Sequence, residues 1–169
     1  MKFSVDEKTL VVPKLIGTPY FSSNIKRSLK SLNDESVFLE QLKSNKASST
    51  LDQIDRIDQW ADDKGLHFRF NDGKTAAKQY RLENEKNTLL CSTTSKGEIS
   101  LRLGELNKVL PTKEYEEFFT FLSDTFGDDI FGKANKKEAG PQFASIQLNN
   151  ITNSDLESLL NKFQDTFKF

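Results

Sequence analysis

Asp72, Lys74 and His67 are the residues that a catalytic reading of this chain would have to use. Asp72-Gly73-Lys74 is an acid-x-Lys triplet at the end of an alternating apolar segment. In metal-dependent nucleases such an acid binds Mg²⁺, and a nearby lysine orients the attacking water. A further carboxylate is required, and Asp58, Asp62, Glu83 and Glu85 are the nominal suppliers. Asn71-Asp72-Gly73-Lys74 is equally an ordinary turn, because these residue types tolerate positive φ. His67 is the only imidazole. A Ser–His–acid triad needs a reachable hydroxyl and an orienting carboxylate, and the chain has no Gly-x-Ser-x-Gly elbow. What remains for His67 is general acid–base work or a place on the surface. Cys91 is the only cysteine, so neither an intrachain disulfide nor a thiolate zinc cluster can form.

Binding chemistry has more support. Arg69, Arg81 and Arg102 are three of five arginines, and all fall in or beside predicted strands. Alternation turns Arg69, Arg102 and His67 away from the apolar face. If the strands are neighbours, His67, Arg69, Arg81 and Arg102 form a basic sheet surface able to hold phosphates. Cross-strand pairing with Glu83, Glu85 and Glu98 is the structural alternative. Lys26, Arg27 and Lys30 lie on a short predicted helix that a second one follows, the order of a helix-turn-helix but without its turn glycine. Asp52, Asp55, Asp58, Asp62 and Asp63 sit on a helix, which excludes a calcium loop and makes them a solvated face. The Phe-rich stretch at 118–131 reads as core, with Phe121 or Phe131 marking a partner surface if exposed.

These residues need elements to position them. The chain has 169 residues, about one domain with an arm. Only 36% are hydrophobic and 29% are charged, yet fourteen are Phe. That describes a thin, aromatic-rich core under a very polar surface. The net charge of −1 hides a gradient of +3 over 1–50, zero over 51–110 and −4 over 111–169. Two acids in the first eight residues argue against a signal peptide, and no apolar run is long enough to span a bilayer.

Leu10-Val11-Val12 predicts a short edge strand or arm, and Ile25, Leu29 and Leu32 a helix. Val37, Phe38, Leu39 and Leu42 predict a second. Thr50 with Gln53 fits a capping box for a third, with Leu51, Ile54, Ile57 and Trp60-Ala61 buried and Gly65 ending it. Periodicity then switches to two. Strands are predicted over 66–70, 77–82, 88–93 and 99–103, with turns at Asn71-Asp72-Gly73 and Ser95-Lys96-Gly97. Pro111-Thr112 opens a helix with Tyr115, Phe118, Phe119, Leu122 and Phe126 on one stripe. Residues 132–142 read as a loop and 142–148 as a fifth strand. Ser154 with Glu157 fits a capping box for the last helix, which carries Leu156, Leu159, Leu160, Phe163 and Phe167. The two final helices echo each other: Asp124-Thr125-Phe126 recurs as Asp165-Thr166-Phe167.

The order of a helix ending in Trp60-Ala61, a strand opened by Gly65-Leu66, then Leu89-Leu90, Gly97 and Ile99-Ser100-Leu101 resembles an uncharacterised α+β domain of prokaryotic proteins. Some of those proteins are linked to restriction or other defence functions. The resemblance covers 51–169. Phe70-Asn71 departs from the Trp-Gly pair often found in that domain. It implies a fold and a prokaryotic setting, and it carries over no active residue.

The expectation is therefore an α+β fold: an antiparallel sheet of four or five strands packed against helices on one face. Residues 1–46 form a partly helical N-terminal extension and 47–169 the domain. The expected role is a non-catalytic, cytoplasmic binding module for a protein or nucleic-acid partner, with no cofactor, no resident metal and no membrane. The alternatives are a metal-dependent nuclease around Asp72 and Lys74, and a structural or homodimerisation domain.

Overall fold

The computed structural model describes residues 33–82, 87–132 and 142–168, together with the backbone of 2–5 and 8–11. The helix expected at 22–32 and most of the loop expected at 132–142 lie outside the described residues, as do Lys26, Arg27, Lys30, Glu83 and Glu85. The chain divides into two units, Met1–Ser31 and Leu32–Phe169. In the first, β1 (Lys2–Val5) and β2 (Lys8–Val11) pair antiparallel, with Lys2 opposite Val11.

The second unit is α+β. Its sheet contains β3 (His67–Phe70), β4 (Ala77–Arg81), β5 (Leu89–Thr94), β6 (Glu98–Leu101) and β7 (Ala144–Gln147), in that spatial order and antiparallel throughout. Alternation along the strands sends Phe70, Tyr80, Cys91, Ile99, Leu101, Ala144 and Ile146 into the core. The opposite face carries polar side chains, as expected for an antiparallel sheet covered on one side.

Five helices accompany the sheet among the described residues: α1 (Glu35–Ser44), α2 (Leu51–Asp63), α3 (Leu103–Val109), α4 (Thr112–Phe126) and α5 (Asn153–Phe167). Each apolar stripe enters the same core: Phe38 and Leu42 of α1, Ile54, Ile57 and Ala61 of α2, Phe118 and Leu122 of α4, and Leu156, Leu159 and Phe163 of α5. The Phe118 and Phe163 rings meet at 5.6 Å between centroids, and burying each contributes about 2–3 kcal/mol. No helix among the described residues is long and apolar enough to cross a membrane.

The compact unit begins at Leu32, so α1 lies inside it. Polar side chains fix this placement. Gln41 Oε1 accepts from the Ala76 amide at 2.8 Å and from Ser95 Oγ at 2.9 Å. Asn45 Nδ2 donates to Ser95 O at 2.9 Å. Asn33, nearly buried, donates to Asn71 O and Gly73 O, both at 2.9 Å.

Two caps differ from expectation. Thr50 ends a 3-10 turn with φ −93° and ψ 1°, so it lacks the extended backbone of a cap, and its hydroxyl donates to Ala47 O at 2.7 Å. Gln53 instead donates to Leu148 O at 2.9 Å. The cap of the last helix lies two residues before the predicted one: Thr152 and Asp155, not Ser154 and Glu157, form the reciprocal box. Leu103 opens α3 and does not extend β6; that helix has only seven residues, too few for a periodic signal. Gly65 behaves as expected. At φ +65° it donates to Asp62 O while the Leu66 amide donates to Ala61 O, a Schellman end to α2. Gly97 has φ +76°, and a Cβ there would approach Ala47 and Thr50 at 3.1 Å, so the turn into β6 needs glycine twice over.

Candidate functional site

The strand register assembles the open face residue by residue. Arg69 pairs with Gln79, Gln79 with Ser92, Ser92 with Ser100 and Ser100 with Ser145. One polar row therefore crosses all five strands, and each of its members is exposed or half-buried. Beside it, His67 pairs with Arg81. On β6 and β7 the last pair is Leu101 with Ala144. One residue beyond that core-facing pair, just outside the two strands, lie Arg102 and Phe143, both exposed.

Arg69, Arg81 and Arg102 line one groove of about 630 Å³, together with Gln79, Asn71 and Asp72. Arg81 is its centre. Its Nη1 donates to Asn87 O at 2.7 Å and its Nη2 to Gln79 Oε1 at 3.3 Å. Among the described residues its buried Nε has no hydrogen-bond partner. Burial pulls the Arg81 pKa below the usual arginine range, and Arg69 and Arg102 pull it further, against Glu105. The guanidinium stays charged, so an anion in the groove would offset the repulsion from Arg69 and Arg102. Arg102 is held by Glu105 at 3.0 Å. Arg69 Nε donates to the neutral Gln79 Oε1 at 3.4 Å. Asp72 on the rim is the groove's own carboxylate.

The structure thus brings the three arginines together and sets Asp72 at their edge. Lys74 is exposed and outside the groove walls; its carbonyl is held by Gln41 Nε2 at 3.2 Å. His67 sits exposed on the edge strand. Among the described residues no three His, Cys, Asp or Glu side chains gather as a metal-holding group. Phe121 and Phe131 are half-buried against the core, and Phe131 stacks on Phe119 at 4.5 Å. Among the described residues the exposed rings are Phe68 and Phe143 instead, at 49% and 53%.

Behind the sheet lies a charged cluster that sequence reasoning missed. Lys78 sits on the core parity of β4 and is 5% exposed. Its Nζ reaches Asp58 Oδ2 at 2.7 Å and Glu35 Oε1 at 3.2 Å. It also lies 5.4 and 5.5 Å from the Phe38 and Phe68 ring centres. Tyr80 OH donates to Asp58 Oδ1 at 2.5 Å and lies 3.1 Å from Thr93 Oγ1. Burial lowers the Lys78 pKa, but the hydrogen bond and charge of Asp58, aided by Glu35, overcome this and raise it. Burial and then Asp58 push the Tyr80 hydroxyl far up. Asp58 therefore belongs to the core side and not to the solvated aspartate face. The signal in the sequence was a lysine at the parity of Phe68, Phe70 and Tyr80. A satisfied network of this kind fixes α2 against β4.

The chain matches no protein-family model, no curated protein and no solved structure.

Proposed function

We propose that this protein is a non-catalytic, intracellular binding module whose open sheet face takes the phosphate backbone of a nucleic acid. The observation that carries the reading is the convergence of Arg69, Arg81 and Arg102 on one groove, with the Arg81 Nε buried and, among the described residues, unpartnered. Arginine suits phosphate because its fork presents several donors in one plane. Among the described residues only Arg102 of the three is ion-paired, to an exposed Glu105 that a phosphate can displace at little cost.

The test is direct binding of labelled DNA and RNA oligonucleotides by the full chain. Arg69→Gln, Arg81→Gln and Arg102→Gln should each weaken binding about five- to tenfold, since each removes one charge-assisted contact. Lys113→Gln, on the exposed flank of α4, should leave it unchanged. Equal affinity in all four variants, or no binding by the parent protein at low salt, overturns the reading.

A further inference from the structure

The basic groove occupies one side of the open face, and the other side carries an aromatic ring with no structural task. Phe143 is 53% exposed at the start of β7. Alternation puts it on the side of Ser145 and Gln147, away from buried Ala144 and Ile146. The adjoining backbone is firmly placed: Phe143 O accepts from the Gly132 amide at 2.9 Å, and Gln142 O from the Gly104 amide at 3.3 Å. Phe68, the other exposed ring, has an evident role. It lies 5.9 Å from Phe70, 6.2 Å from Tyr80 and 5.5 Å from the Lys78 ammonium, so it roofs that cluster. Among the described residues Phe143 has no aromatic or cationic neighbour of this sort.

The sheet between Ser145 and Arg69 is polar: its row is made of half-buried Ser100, Ser92 and Gln79, with Glu98 beside it held by Gln147 Nε2. Five strands at about 4.8 Å spacing give a face roughly 19 Å wide. The apolar stripes of the helices enter the core on the other side of the sheet, and at the β7 edge the end of α4 borders Glu98, Ser145 and Gln147, so the arginine half is the part of this face left for a ligand. A charged groove, a flat polar floor and an exposed ring are the parts that hold unpaired bases, whose faces stack on an aromatic while their phosphates follow the basic residues.

We infer that the open face takes a single-stranded nucleic acid laid across the strands, with phosphates at Arg69, Arg81 and Arg102 and a base stacked on Phe143. This rests on the reading of the face as a nucleic-acid site and adds to it the strandedness of the ligand and a residue that senses it.

The experiment measures fluorescence anisotropy of the full chain with labelled oligo-dT and oligo-U 12-mers and with a 12-base-pair DNA duplex, at one fixed salt concentration. The inference expects the single strands to bind at least tenfold tighter than the duplex. Phe143→Ala should weaken single-strand binding about tenfold and leave duplex binding unchanged, while Phe143→Trp should restore it. Comparison of the dT and U arms shows whether DNA or RNA is preferred. The side chain is exposed, so unchanged circular dichroism of the variants is expected and is checked. If the arginine variants lose binding but Phe143→Ala does not, or if duplex binds as well as single strand, the inference fails and the basic-face reading stands. If the arginine variants also bind normally, both fail.

Discussion

Replacing Asp58 by Asn removes one charge from the cluster behind the sheet and leaves its shape. Asn still offers an oxygen to Tyr80 OH, so the loss falls mainly on Lys78. That ammonium is almost buried, with 6% of its side chain exposed, while Asp58 is 25% exposed. Breaking a fully buried pair from one side costs roughly 3–5 kcal/mol. Here Glu35 keeps one contact at 3.2 Å and the two rings remain, so about 2–3 kcal/mol is expected. At about 3 °C per kcal/mol for a chain of this size, Tm should fall by roughly 6–9 °C. The assay is urea unfolding of parent and variant, with Asp55→Asn on the exposed side of α2 as control. The pH dependence carries a sign. The Lys78 pKa is raised above 10.5 in the folded state. Its stabilising effect is therefore complete below the unfolded value and is lost as pH rises through the folded one. The gap between parent and Asp58→Asn should stay constant from pH 7 to about 10 and close above it. A loss under 0.5 kcal/mol, or a gap that persists unchanged at pH 11.5, would refute the account of this cluster.

Cys91 gives a second alkaline limb. Burial raises its thiol from 9.0 to about 12, so the unfolded chain releases that proton first and stability falls between those values, by up to about 1.4 kcal/mol per pH unit. Cys91→Ala should flatten the profile between pH 9 and 10.5 in the same unfolding assay. Thr152→Ala should cost about 1 kcal/mol and Ser154→Ala less than half of that, because only Thr152 caps α5; equal losses would place the cap wrongly.

The sheet was legible because its period is simple. Phe68-Arg69-Phe70 and Ile99-Ser100-Leu101 alternate cleanly, and the Asn71-Asp72-Gly73 and Ser95-Lys96-Gly97 turns bound the strands. The arginine groove was legible for the same reason, since parity alone turns Arg69 and Arg102 outward. Three features were not. Asp58 lies one residue from the buried stripe of α2, where a helix edge can face either solvent or sheet, and only the position of Lys78 decides between them. The Thr152-Asp155 and Ser154-Glu157 pairs spell the same capping pattern two residues apart, and the choice depends on where the 3-10 turn at Leu148–Asn150 releases the chain. Phe143 was hidden because it lies just before β7, and only the pairing of β7 with β6 joins it to the sheet that carries the arginines.

The most direct test of the central claim is the salt dependence of oligonucleotide binding to the parent protein and to Arg81→Gln. Three phosphate contacts on a single strand predict a slope of about −2 in log K against log salt, and the variant should fall to about −1.4. Identical slopes and affinities for the two proteins would contradict the claim that the arginine groove is where the nucleic acid binds.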